Sequence, residues 1–264
     1  MGADLLRDLF ARARSESRTA FLPFMTAGLP TPDESLSVFA SIEGADAFEV
    51  GIPYSDPLMD GPTIQAAGQA ALKAGTTLKR GLSIASEVGK TTGKPVIIMT
   101  YANVVFQVTP MRFAAMAADA GASAVIIADL PIDEAAPIQA AVEAAGLGMV
   151  LFVAPTTDER RISDIVAANP VFIYGVAELG VTGERTAASG HAAGLAKRVR
   201  AASDVPLVMG VGISTPEQAA AMRPYADGVI VGSALVRPVL EAPTIEDARR
   251  DVAAISRKIA DALR

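Results

Sequence analysis

Ala20-Phe21-Leu22-Pro23-Phe24-Met25, running on through Thr26 into Ala27-Gly28-Leu29-Pro30, is the stretch on which the fold turns. Its first six residues are apolar without alternation, the pattern of a strand buried on both faces. A doubly wound sheet usually leaves its first strand through Gly-x-Gly-x-x-Gly. Ala27-Gly28-Leu29-Pro30 does not match that turn. Seven similar runs follow, at 47–50, 95–100, 124–128, 148–153, 171–175, 206–210 and 228–231. Each is separated from the next by enough chain for a crossover helix. Helix starts stand in those gaps: Pro32-Asp33-Glu34, Thr109-Pro110, Asp133-Glu134, Thr157-Asp158-Glu159 and Ser214-Thr215-Pro216-Glu217. Proline, acids and hydroxyls in the first turn are helix-opening signals. The second of these helices ends near Gly121 and the third at Gly146, while 245–263 reads as a long amphipathic helix. Strand then helix, eight times, with no linker or composition shift, predicts an α/β protein. The expectation is a single (β/α)₈ TIM barrel over residues 1–264. An extra N-terminal helix over 3–14 would close its bottom.

Composition agrees with that size and class. The chain has 264 residues, 51% hydrophobic and 20% charged, which excludes disordered, collagenous and disulfide-scaffold classes. Lys and Arg number 23 against 29 Asp and Glu, a net charge of −6 with no basic block. Neither nucleic acid nor an acidic membrane surface is an expected partner. The absence of cysteine removes disulfides, thiolate catalysis and cysteine-based metal centres, and suits a cytoplasmic location. One histidine, His191, rules out a multi-histidine metal site, so no metal is expected. The longest apolar runs fall far short of a membrane span. Asp4 and Asp8 among the first leucines do not read as a signal peptide, and Leu6 breaks the myristoylation pattern.

In such a barrel the chemistry sits at the C-terminal ends of the strands. Glu49, inside the apolar Ala47-Phe48-Glu49-Val50-Gly51, is the sharpest oddity. Desolvation would raise its pKa and suit it to acid/base work, although a structural carboxylate reads equally well from this residue alone. Asp60 lies in the following proline-stiffened loop, where Asp60-Gly61-Pro62 also fits an ordinary turn. Asp129, ending the fourth strand, reads first as a carboxylate tying down the strand end. Tyr101 and Tyr174 end the third and sixth strands and fit core aromatics too.

Gly210-Val211-Gly212-Ile213-Ser214 follows the seventh strand, and Gly232-Ser233 follows the eighth and opens a helix. Barrels often bind phosphate at these two places, where backbone N–H groups and a helix terminus face the anion. Gly180-Val181-Thr182-Gly183 would supply a third wall. None of the six lysines ends a strand, which argues against a Schiff-base aldolase. One histidine is too few for a zinc aldolase. Carbon–carbon cleavage, if it occurs, would have to use carboxylates. His191 reads as a solvated surface residue.

Phe48-Glu49-Val50-Gly51-Ile52-Pro53-Tyr54-Ser55-Asp56-Pro57, continuing to Asp60-Gly61-Pro62-Thr63-Ile64-Gln65, closely resembles the signature of the tryptophan synthase α subunit family. Met99-Thr100-Tyr101-Ala102-Asn103, Ala128-Asp129-Leu130-Pro131, Gly180-Val181-Thr182-Gly183, Gly212-Ile213-Ser214 and Gly232-Ser233-Ala234 follow in the family's order. The resemblance implies cofactor-free cleavage of indole-3-glycerol phosphate to indole and glyceraldehyde 3-phosphate. By carry-over Glu49 is the general acid/base, and Asp60 holds the indole N–H. Phe21, Met99, Tyr101 and Ile126 wall the indole pocket, and Tyr174 lines the site near Glu49. Gly183, Gly212, Gly232 and Ser233 hold the phosphate, while Asp129 and Thr182 support the site. The resemblance also implies a β subunit partner in an α2β2 assembly, which carries pyridoxal phosphate and receives the indole. Loops around 56–62 and 178–189 would close over the substrate. Two departures stand out. Ala177 and Glu178 replace a common Ser-Arg, and Val211 stands where a phenylalanine often flanks the ring. A stand-alone lyase releasing indole, a catalytically idle phosphate-binding regulatory subunit and another phosphate-binding barrel remain as alternatives.

Overall fold

A computed structural model describes residues 2–176, 185–210 and 212–264, with side chains omitted for 185–190. Eight parallel strands pair in sequence order and close on themselves: β1 (Ala20–Thr26), β2 (Phe48–Gly51), β3 (Val96–Thr100), β4 (Ala124–Ile127), β5 (Gly148–Val153), β6 (Phe172–Val176), β7 (Leu207–Gly210) and β8 (Gly228–Val231). The closed barrel expected from the apolar runs is the observed fold, with each strand start within a residue of its sequence reading.

Helices wrap the barrel. They are α1 (Gly2–Ser15), α2 (Ser35–Ser41), α3 (Pro62–Lys73), α4 (Leu78–Thr92), α5 (Ala102–Val108), α6 (Pro110–Asp119), α7 (Ile132–Ala144), α8 (Glu159–Ala167), α9 (Arg185–Ala202), α10 (Pro216–Met222), α11 (Ser233–Glu241) and α12 (Ile245–Ala262). Their starts follow local chemistry. Asp158 accepts from the Arg161 amide at 2.7 Å, Thr244 accepts from that of Asp247, and Thr215 forms a capping box with Gln218. Residues 32–34 form a turn rather than the first helical turn, because Thr31 and Glu34 bond to each other there and α2 begins at Ser35.

Register decides which side chains meet inside. Phe24 pairs with Glu49, Glu49 with Ile97, Met99 with Ile126, and Phe152 with Tyr174. Residues paired in a parallel sheet share a face, and neighbours along a strand take opposite faces. The inner face therefore carries Glu49 among apolar side chains. At the other end α1 lays Leu6, Leu9 and Phe10 against the barrel, with Phe10 edge-on to Phe172 at 5.6 Å between ring centroids. The extra N-terminal helix does close the bottom.

Candidate active site

Glu49 is the second residue of β2, 3% exposed, and its Oε2 has no hydrogen-bond partner. An ionised carboxylate is poorly solvated in such surroundings. Burial first, and then the negative charge of Asp60, push the Glu49 carboxyl up to about 8. At pH 7 it holds its proton.

Asp60 sits half-buried at the end of the loop after β2. Gln65 on α3 secures that loop by donating its Nε2 to the Asp60 carbonyl at 2.8 Å. Burial raises the Asp60 carboxyl to about 6, with the Tyr101 hydroxyl beside it holding it down. The contact between the two falls outside ordinary hydrogen-bond geometry, so the hydroxyl only partly offsets the effect of burial. At pH 7 Asp60 is mostly ionised. Two carboxyl groups near one another thus differ in charge state, the arrangement that separates an acid from an anion.

A cavity of about 760 Å³ opens at the C-terminal end of the barrel around both groups. Met99, Ile126, Tyr174, Gly212, Gly232, Ser233 and Asp129 line it. Tyr174 is the third residue of β6 rather than its last. It packs against Phe152 at 5.0 Å between ring centroids, and burial, then the negative charges of Glu49 and Asp60, keep its phenol protonated well beyond the usual range. Tyr101 lies behind the lining and stacks on Tyr54 at 5.1 Å, so it backs Asp60 instead of walling the cavity. Asp129 accepts from the Ala102 amide at 2.7 Å and so ties the start of α5 to the end of β4, a supporting position. His191 is exposed on α9.

Phe21 requires correction. It is the second residue of β1, its amide donates to Asp46 at 2.9 Å, and it borders a small cavity at the opposite end of the barrel. Phe24, three residues on, is paired with Glu49 and lines the main cavity. The space it needs is supplied by two glycines. A Cβ at Gly51 would lie 2.6 Å from the Phe24 ring, and one at Gly232 would lie 3.3 Å from it. Those small neighbours were the available sequence signal.

The two glycine turns differ in what they offer an anion. Helix α11 starts at Ser233 behind Gly232 with no side-chain cap, so its first amides are free to face the cavity. Helix α10 is capped by its own residues, and Gln218 Oε1 also takes the Ser214 amide at 2.7 Å. Gly212, with φ of +79°, lies just before that capped turn. Thr182, Gly183, Ala177, Glu178 and Val211 lie outside the described residues. Among the described residues no group of acids and histidine could hold a metal ion, and no helix is long and apolar enough to cross a membrane.

The site is thus a neutral buried acid, a neighbouring carboxylate, an apolar bowl and an open helix terminus. A profile of the tryptophan synthase alpha chain family matches residues 10–264. The tryptophan synthase alpha chain of Streptomyces avermitilis is 38% identical over 262 residues, spanning 98% of this chain and 95% of its own. That of Synechococcus is 43% identical over 236 residues, 88% of each chain. Among solved structures, tryptophan synthase from Mycobacterium tuberculosis superposes with a TM-score of 0.88 at 36% identity over 98% of both chains. Tryptophan synthase subunit alpha from Legionella pneumophila does so with 0.88 at 31% identity, again over 98% of both. A match across nearly the whole length, on the fold and the motifs already described, means that this chain belongs to the tryptophan synthase alpha chain family.

Proposed function

We propose that the chain is the lyase subunit that splits indole-3-glycerol phosphate into indole and glyceraldehyde 3-phosphate, with Glu49 as the acid/base and Asp60 as the electrostatic partner. The observation that carries this reading is Glu49, buried, without a partner at Oε2 and protonated at neutral pH. A protonated carboxyl can give its proton to indole C3. The ring nitrogen then bears positive charge, which the Asp60 carboxylate offsets. Glu49, now a carboxylate, takes the proton of the hydroxyl on the adjoining glycerol carbon. The C–C bond breaks, its electron pair returns to the ring, and indole and the aldehyde separate. Glu49 ends protonated, as it began, and no cofactor enters the balance.

Phe24, Met99, Ile126 and Tyr174 form the ring's walls in this reading. Gly232 and Ser233, with Gly212, hold the phosphate through backbone N–H groups, and Gly183 and Thr182 complete that end by resemblance. Residues 1–264 act as one barrel domain. The chain works in the cytoplasm with a β subunit in an α2β2 assembly, and pyridoxal phosphate belongs to that partner.

The test is indole release from indole-3-glycerol phosphate by wild type and Glu49→Gln, each alone and with the β subunit. General acid/base groups contribute about 10²- to 10⁴-fold, so a loss of that order is expected in the variant. Strong activation of wild type by β is expected beside it. Fast cleavage indifferent to β would mark a stand-alone lyase. No cleavage under any condition would leave only a phosphate-binding scaffold.

A further inference from the structure

The cavity does not stop at the barrel wall. Phe152 of β5 faces inward with its pair Tyr174. Its neighbours Leu151 and Val153 therefore face outward, toward the helices. Both nevertheless line the same cavity as Glu49, and so does Ile165 from the buried face of α8. The space must pass around Phe152 and continue between β5 and α8. Ile132, at the start of α7, lines the cavity as well. Two polar residues border this extension, and each has a partner, with the Arg161 side chain 39% exposed toward solvent. Thr157 Oγ1 accepts from the Ala154 amide at 2.9 Å, and the Arg161 guanidinium pairs with Asp133.

We propose that this extension is a second, apolar lobe that holds a neutral aromatic ring of indole size beside the catalytic bowl. The inference rests on the reaction given above. A phosphorylated occupant lying in the lobe would set its anion against Leu151, Val153, Ile165 and Ile132 and forfeit its hydration. That excludes the phosphorylated substrate and the phosphorylated product and leaves indole. A dry cavity of about 150 Å³ accepts benzene, and the whole cavity here measures about 760 Å³. Indole in the lobe leaves the bowl open, so product can wait while the next substrate binds.

Equilibrium dialysis of the full chain with radiolabelled indole reads this directly. Two equivalents are expected for wild type and one for Ile165→Phe, whose larger ring fills the lobe from α8. Indole should also inhibit wild-type cleavage in a mixed pattern that becomes purely competitive in the variant. One equivalent in wild type, or two retained in Ile165→Phe, overturns the proposal. Should Ile165→Phe not fold, a wild-type crystal soaked with 5-bromoindole decides. A bromine peak between β5 and α8 supports the lobe, and bromine in the bowl alone overturns it. Two bound equivalents without any cleavage would remove the reaction and keep the lobe, whereas cleavage with one equivalent would remove the lobe alone.

Discussion

Between about pH 6 and 8 Glu49 keeps its proton while Asp60 carries charge. Only that combination can both protonate the ring and offset the resulting cation. The expected kcat/KM profile of the isolated chain is a bell with limbs near those values, which belong to the coupled pair rather than to either residue. A profile flat from pH 5 to 9 would remove Glu49 as the acid. Stability carries a second signature. The unfolded chain releases the Glu49 proton near 4.5, whereas the folded chain holds it up to about 8. Between those values the folded state binds more protons, so stability falls as pH rises and levels off above about 8. At about 1.4 kcal/mol per tenfold change in proton affinity, the cost reaches about 5 kcal/mol. Glu49→Gln cannot ionise, so its melting temperature should gain on wild type from pH 5 to pH 8. Parallel curves from paired thermal melts would contradict the buried, protonated state.

Strands aim these residues, and neighbouring strands must leave room. A Cβ at Gly210 on β7 would stand 2.0 Å from the Tyr174 hydroxyl oxygen on β6. Gly210→Ala should displace that ring from the cavity wall. Overpacking of this kind costs about 1–3 kcal/mol, and a KM rise of about tenfold or more is expected. Steady-state kinetics with Tyr174→Leu in the same chain check the cause, since the double variant should lose less than the two single losses together. The elements were legible because apolar runs and capping residues mark them locally. Asp158, Thr215 and Thr244 announce their helices by side chain. Helix α5 does not, because its N-cap is Tyr101 with no side-chain cap, and it had no signature to read. Glu49 stood out as a lone charge in an apolar run. Phe24 did not, because β1 is apolar at nearly every position and lacks the alternation that assigns faces. Its two phenylalanines could be told apart only through Gly51 at the end of β2 and Gly232 just past β8.

Around the open end of the barrel, Leu58 is 89% exposed, Met111 66% and Phe106 57%. The Tyr54–Tyr101 stack and the Asn103 Nδ2 to Tyr54 hydroxyl bond of 3.1 Å bind the loop after β2 to α5. These apolar side chains thus share one rim, which suits coverage by the β subunit. Charges there should weaken the pairing. Leu58→Asp with Phe106→Asp is expected to raise the β concentration needed for half-maximal activation about tenfold or more, leaving cleavage by the isolated chain as it was. A titration with β measures both. No shift would place the contact elsewhere. The seal made by α1 at the far end then acquires a meaning for traffic. A barrel stoppered below is a flask with a single neck. Whatever sits on the neck meters the traffic through it, and a small, membrane-permeable product finds no back door past α1.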